Sequence, residues 1–454
     1  MKQKHLFSIA VLLALSSACK KSTDGEDPAP PNSSDTLLLP PSTGWQHVMS
    51  IDTKDYALSV CDMTPVGQEI AVLYKSRLPT SHTSDYFKVK FKESGPQSAA
   101  GTQLGFSTDG RTVYYSQFVP ESYTAVFTDM QYVGNIYGLI DENNTRTVRF
   151  VTDLTQPKDE FVNYYYTKAG DYLGAVINGA HIPNATQYGT SKFPPTPVTD
   201  GFMPTINTDK NRGNFVSKMA IPLKLSDNHP YTFTIGTDGN QLKYQALKLL
   251  PEKERIDPNY EIVDEGEFAG WQASGLESNN PYQSLVTFRY DNDVLTFVLA
   301  DYKMVSGINV MNKLHGYRWK KGTAGLSTLW ESAEVTPTLS NALDTQEAIN
   351  DVQSRRYEEN RLTPDGTLYT IHTKKLYTQP QPEKEYSILY TVNASGINEL
   401  SRIDYLFDHY KKTVRINTCR YINGAYYALV YPIESEYIKA DDPKYHIEVV
   451  KLTP

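Results

Sequence analysis

Tight turns recur along this chain at closely repeated intervals, and they constrain the fold more than any single segment does. Asp109-Gly110, the turn Asp141 to Asn144 and the turn at Gly170 lie about 30 residues apart. Asp365-Gly366, Ser395-Gly396 and Asn423-Gly424 repeat nearly the same intervals about 255 residues later, and Asp238-Gly239 falls between the two sets. Each Asp-Gly pair precedes a short run bearing an aromatic residue, Tyr114, Tyr244 or Tyr369. A glycine-containing tight turn followed by such a run is a hairpin signature, because the turn needs a positive φ that glycine adopts without strain. Between the turns, Thr112–Tyr115, Thr145–Val151, Tyr231–Ile235, Leu285–Tyr290, Val294–Leu299, Leu368–Thr373, Tyr386–Val392 and Ala425–Tyr431 read as strands. The 33 tyrosines, against four tryptophans and 16 phenylalanines, suit half-buried strands where aromatics pack across the pleat. The best helix candidate is Thr345 to Asn360, with Asn341 or Asp344 as its cap.

The contexts Ser107-Thr108-Asp109-Gly110, Thr237-Asp238-Gly239 and Thr363-Pro364-Asp365-Gly366 resemble the Ser-Pro-Asp-Gly turn that recurs in the blades of many bacterial β-propellers. Two such turns per four-stranded blade give blades of about 56–64 residues, so a body of about 410 residues makes six or seven. The expected fold is therefore all-β, a single β-propeller of about seven blades, with six or eight as open alternatives. Tandem β-sandwich domains are the competing architecture, since they also give short strands with frequent turns. The absence of a Pro/Gly/Ser-rich linker after residue 43 and the long-range echo of the turns favour the propeller.

The N-terminus reads as an address. Lys2 and Lys4 precede an apolar run from Leu6 to Leu15, and Ser16-Ser17-Ala18 leads to Cys19. The apolar run is shorter than the roughly 20 residues a membrane span needs, so residues 1–18 are expected to be a secretory signal peptide. The stretch resembles the lipobox of bacterial lipoproteins, departing from it in that Leu15 stands four residues before the cysteine. The resemblance implies a lipidated Cys19. Residues 19–43 carry Asp24, Glu26, Asp27 and Pro28, Pro30, Pro31, Pro40, Pro41, a semi-stiff tether ahead of a propeller domain over 44–454. Cys61 and Cys419 remain as candidates for a disulfide in an oxidising compartment, near the two ends of a chain that would close as a ring.

The formal net charge of -8 and the lack of any basic run longer than a pair argue against nucleic acid as a partner. No nucleophile elbow, His-Glu-x-x-His, phosphate loop or Cys-x-x-Cys occurs, and no motif implies a cofactor. The histidines after the signal are isolated, which gives no metal-ligand spacing. Asp141-Glu142-Asn143-Asn144 and Asp291-Asn292-Asp293 carry the hard oxygens that calcium prefers, yet both read first as ordinary turns, so no metal is assigned. Ligand-binding candidates are clusters that mix aromatics with cations: Tyr317, Arg318 and Trp319; Tyr164, Tyr165 and Tyr166; and Arg355 with Arg356. Aromatic faces suit sugar rings, and Arg suits anionic oxygens. The competing reading of each is strand packing.

A lipobox-like start, an acidic proline-rich tether and an Asp-Gly-turn body together resemble the β-propeller outer-membrane lipoproteins that accompany TonB-dependent receptors. The resemblance implies an outer-membrane protein, on the cell-surface or periplasmic face, that captures a siderophore, glycan or similar small-molecule nutrient for such a receptor. It carries no binding residue across. A propeller enzyme, either a polysaccharide lyase or a hydrolase, and a protein-interaction scaffold are the alternative functions.

Overall fold

The computed structural model describes residues 44–53, 57–78, 84–96, 98–106, 113–118, 121–131, 134–152, 161–166, 172–178, 214–224, 227, 230–249, 260–276, 284–305, 308–334, 360–378, 381–403, 414–432 and 446–454. Their strands form seven sheets arranged in sequence order. β1 (Trp45–Asp52) comes first and belongs to the last sheet. Blade 1 holds β2 (Ala57–Val66), β3 (Glu69–Arg77), β4 (Ser84–Phe91) and, after the short β5 (Ser98–Ala100), β6 (Thr102–Gln103). Blade 2 is β7 (Val113–Phe118), β8 (Ala125–Gln131), β9 (Gly134–Ile140) and β10 (Arg146–Thr152), and blade 3 shows β11 (Phe161–Tyr166) and β12 (Tyr172–Asn178). Blade 4 is β13 (Phe215–Lys224), β14 (Pro230–Asp238), β15 (Gln241–Leu249) and β16 (Tyr260–Gln272). Blade 5 is β17 (Leu285–Asp291), β18 (Val294–Val305), β19 (Ile308–Lys320) and β20 (Ser327–Glu331). Blade 6 is β21 (Asn360–Leu362), β22 (Leu368–Thr378), β23 (Gln381–Asn393) and β24 (Gly396–Ile403).

Blade 7 closes the ring. β25 (Val414–Ile422), β26 (Ala425–Pro432) and β27 (His446–Leu452) supply its inner strands, and β1 adds antiparallel to β27 from Trp45↔Leu452 to Asp52↔His446. β5 then pairs in parallel with Ser50–Asp52, so β1 has a partner on both edges. Joining the first strand to the last sheet removes the open ends that a linear row of sheets would leave. The inner strands lie side by side, β25 with β2, β2 with β7 and β17 with β21. This is the single β-propeller expected from the sequence, with seven blades.

Five hydrophobic clusters, each drawn from two neighbouring blades, fill the wedges between them. The pleat explains how one strand serves two wedges. On β18, Leu295, Phe297 and Leu299 pack toward blade 4, while Val298, Ala300 and Tyr302 pack toward blade 6. On β26, Ala425, Tyr427 and Leu429 face blade 1, and Tyr426, Ala428 and Val430 face blade 6. Both faces are buried, so such strands read as continuous apolar runs, each large side chain contributing about 1.5–3 kcal/mol.

The two ends of the propeller differ. At one, strands are joined by short links such as 67–68, 292–293, 394–395 and 423–424. Asp365 shows how such a turn is set: its carboxylate accepts from Thr363 Oγ1, Thr367 N and Thr367 Oγ1, and Gly366 takes φ 96°. The opposite end carries the long passages from one blade to the next, such as those from Glu331 to Asn360 and from Ile403 to Val414. Asp141–Asn144, Asp365-Gly366, Ser395-Gly396 and Asn423-Gly424 all sit at the tight-turn end, whereas Asp238-Gly239 joins β14 to β15 at the other. Its spacing therefore fits the series while its place does not. Asp109-Gly110, Gly170 and the candidate helix from Thr345, apart from Asn360, lie outside the described residues.

Candidate functional site

The two acidic stretches weighed for calcium are turns. Asp141 Oδ1 accepts from Asn143 N at 2.9 Å and Thr145 N at 2.8 Å, and Asn292 and Asp293 take φ 49° and 62° between β17 and β18. Among the described residues no three His, Cys, Asp or Glu side chains converge as metal ligands.

Tyr317 and Trp319 are not available for stacking. They are 5% and 1% exposed, within the wedge between blades 4 and 5, against Phe268, Phe297 and Phe233. The ligand expectation at these two positions gives way to core packing, because the face they share on β19 is turned to blade 4. Trp319 Nε1 donates to Asp264 Oδ2 at 2.8 Å, and Tyr244 OH donates to the same oxygen at 3.2 Å. Arg318, on the other face, donates from Nη2 to the Asp365 carbonyl at 3.1 Å and ties blade 5 to the turn of blade 6. Tyr164, Tyr165 and Tyr166 lie on β11, but their side chains fall outside the described residues, as do Arg355, Arg356 and Cys19 entirely. Cys419 is buried in the cluster shared by blades 6 and 7. Cys61 stands on β2 of blade 1, and its side chain is likewise outside the described residues.

The chemistry-bearing cluster that the fold does assemble sits at the outer part of the blade 4–5 wedge, toward the long-connection end. A wide irregularity in β16 creates it. Gln272 pairs with Gln241 and Glu267 with Lys243, so Phe268 to Trp271 face the single position Leu242, with Gly270 at φ 81°. The bulge turns Phe268 and Trp271 into the wedge, a use of bulges common beside functional sites. Trp271 meets His315 edge-on at 4.6 Å between centroids, and His315 lies parallel to Tyr317 at 6.3 Å. Asp301, Asn312, Lys313 and Glu331 surround this aromatic floor.

The electrostatics follow from depth. Burial holds the His315 imidazole below its ordinary pKa despite Glu331 and Asp301 nearby, so the ring is neutral near pH 7. Its Nδ1 stands 3.7 Å from Glu331 Oε2. Glu331 is kept below the usual carboxylate range, chiefly by the hydrogen bond from Lys313 Nζ at 2.6 Å. Asn312 Nδ2 donates to Asp301 Oδ2 at 3.0 Å, and burial pushes the Tyr317 hydroxyl well up. A neutral imidazole beside two carboxylates and an amide offers both donors and acceptors to a polar, hydroxyl-bearing ligand. Sequence reasoning passed over His315 among the isolated histidines and missed Trp271, Asp301 and Glu331. Gly266 and Gly270 inside a strand pattern were the available signal for the bulge.

Neither a protein-family model nor a curated protein matches this sequence. Among solved structures, the β-propeller domain of the Trilobed protease from Pyrococcus furiosus is 8% identical, with a TM-score of 0.28 over 84% of this chain and 82% of that one. The subtype N11 neuraminidase-like protein of A/flat-faced bat/Peru/033/2010 is 8% identical, with a TM-score of 0.33 over 90% and 94%. The polysaccharide lyase Uly1 is 8% identical, with a TM-score of 0.27 over 87% and 90%. The propeller architecture rests on the sheet order and the closing strand described above.

Proposed function

We propose that this chain is a lipid-anchored outer-membrane protein that binds a nutrient ligand and passes it to a TonB-dependent receptor. The observation that carries the reading is where the chain enters the fold. Residue 44 leads into β1 at the rim of blade 7, and Trp45 is paired with Leu452, so both ends of the domain lie at the tight-turn end. A tether over 19–43 attached there leaves the long-connection end, with the Trp271–His315 cluster, turned from the attachment point. That is the arrangement a captured ligand needs. Lipid on Cys19 is tested by Cys19→Ala, which is expected to abolish lipid labelling and release soluble protein; persistence in the membrane fraction refutes the anchor. Calorimetry of the released protein against ferric siderophores, haem and oligosaccharides tests capture, and binding to none of them overturns it.

A second reading, a lyase or hydrolase on an exported polysaccharide, takes support from His315 beside Glu331 and Asp301. It predicts new reducing or unsaturated ends when oligosaccharide is incubated with the protein, lost in His315→Ala.

A further inference from the structure

The tight turns tie down their Asp or Asn side chains in different ways, and one turn leaves its side chain untied. At Asp365-Gly366 the carboxylate accepts from Thr363 Oγ1 and from Thr367, and Gly366 N donates to the Thr363 carbonyl at 3.1 Å. At Asp238-Gly239, Asp238 Oδ2 accepts from Lys243 Nζ at 2.8 Å. Asn393, ahead of Ala394, accepts at Oδ1 from Ser395 N at 2.9 Å and from Ser395 Oγ at 2.6 Å. Each of these bonds commits the side chain to a partner other than the next peptide nitrogen.

Asn423-Gly424 is different. The pair is the whole link between β25 and β26 of the closing blade, and both residues are exposed and left-handed, at φ 49° and 86°. Asparagine and glycine tolerate that conformation, which is why they stand in this turn. Among the described residues, no hydrogen bond holds the Asn423 amide or the Gly424 N–H. Nothing lies within 4 Å of where a Cβ on Gly424 would stand, so no neighbour crowds the peptide there. No other Asn-Gly pair occurs among the described residues.

We propose that Asn423 is a self-modifying site, where the amide is lost to attack by the chain's own backbone and the closing seam ages as a result. Hydroxide takes the Gly424 amide proton, the nitrogen bonds to Asn423 Cγ, and the side-chain amide leaves as ammonia with a proton from water. A succinimide ring results. Water opens it at the side-chain carbonyl to give aspartate, or at the main-chain carbonyl to give isoaspartate, so water is the one co-reactant. Glycine after the asparagine matters because a Cβ would obstruct ring closure. The left-handed turn has to flex before the nitrogen faces Cγ, so folding slows the step without blocking it. Isoaspartate routes the main chain through the side-chain carbon and lengthens the turn, and both products add a negative charge. Ile422 and Ala425 pair directly across this turn and are buried in the cluster between blades 7 and 1, so the change falls on the seam that closes the ring.

The test holds the folded full-length protein in mildly alkaline buffer and follows its peptides by mass spectrometry. Asn423 is expected to convert to both aspartate and isoaspartate, about tenfold or more faster than Asn144, Asn240, Asn292 or Asn393, none of which precedes glycine. Denaturant should quicken the reaction, and Asn423→Gln should abolish it, because the longer side chain closes its ring poorly. In the aged fraction alone, hydrogen exchange at Ile422 and Ala425 should speed up. Conversion at Asn423 no faster than at the other asparagines, conversion confined to the unfolded chain, aspartate without isoaspartate, or unchanged exchange in the aged fraction overturns the proposal.

Discussion

The wedge between blades 4 and 5 and the seam between blades 7 and 1 join equivalent surfaces by different means. In the first, Phe233 stacks on Tyr244 at 5.3 Å and meets Phe297 at 5.3 Å and Trp319 at 5.7 Å, with Phe268 and Tyr317 behind. The seam also has an apolar cluster, chiefly aliphatic, but it adds directed polar links that span the chain. Arg420 pairs with Asp62, whose other oxygen accepts from Phe118 N at 2.8 Å, so one carboxylate connects blades 7, 1 and 2. Lys451 Nζ reaches Glu93 at 3.0 Å, and within blade 7 buried Glu448 of β27 accepts from Ser50 Oγ of β1 at 2.5 Å beside His47, which fixes the first strand to the last. Blades 4 and 5 follow one another in sequence and meet at little entropic cost. The seam joins segments separated by most of the chain, where loop closure is costliest and register has no local turn to set it. Apolar packing supplies strength without specifying register; a buried ion pair supplies register at a desolvation cost.

Four measurements break or sharpen this contrast. Phe233→Ala, at the centre of the aromatic wedge and fully buried, is expected to cost about 3–5 kcal/mol by denaturant midpoint. Arg420→Met leaves Asp62 charged and nearly buried, for an expected loss of about 3 kcal/mol. Hydrogen exchange should then speed up in β1 and β27 before β14 and β15; uniform acceleration would show that the seam carries no separate closing function.

Alkali should reverse that order. Tyr231, Tyr244 and Tyr317 of the wedge are all raised above their ordinary pKa, first by burial, and Asp227 and Asp264 add to the effect at Tyr231 and Tyr244. A tyrosine whose folded pKa is raised keeps its proton longer than in the unfolded chain. Its contribution to stability is complete below pH about 10 and is lost as pH rises through the folded value. The seam's cluster holds one such tyrosine, Tyr74, against three in the wedge, so the wedge is expected to open before the seam above pH 10, and Tyr244→Phe to flatten the loss. An effect of opposite sign concerns Lys88, fully buried between blades 1 and 2 over the Tyr123 ring at 4.5 Å and bonded to the Asp141 carbonyl. Burial lowers its pKa to about 8. The unfolded chain binds that proton more tightly, so the lysine costs stability at pH 7 and the cost fades between pH 8 and 10.5. Lys88→Met should remove that rise from the stability profile.

Strands and turns were legible because their causes are local. Leu368–Thr373 and Asp365-Gly366 announce themselves through alternation and glycine, and their recurrence yields the ring. The meeting of the chain's ends follows from the ring that the turns announce, whereas the link that ties it, Asp62 to Arg420, carries no local signal. The candidate site was not legible. Alternation separates Tyr317 and Trp319 from Arg318 correctly, but in a propeller both faces of a blade meet a neighbour, so period two does not say which face is free. Trp271 joins His315 only because β16 bulges opposite Leu242, and that depends on pairing across two strands.

The double clamping of β1 has a mechanical consequence. This strand is held on one edge by β27 and at its far end by β5 on the other, and residue 44 is where any leader enters. A pull on residue 44, such as drag on a cell-bound particle would transmit, is borne first by the bonds that make the ring a ring. Under the proposed anchor, attachment and integrity would share one load path, and a force large enough to peel β1 away would open the propeller at the same stroke.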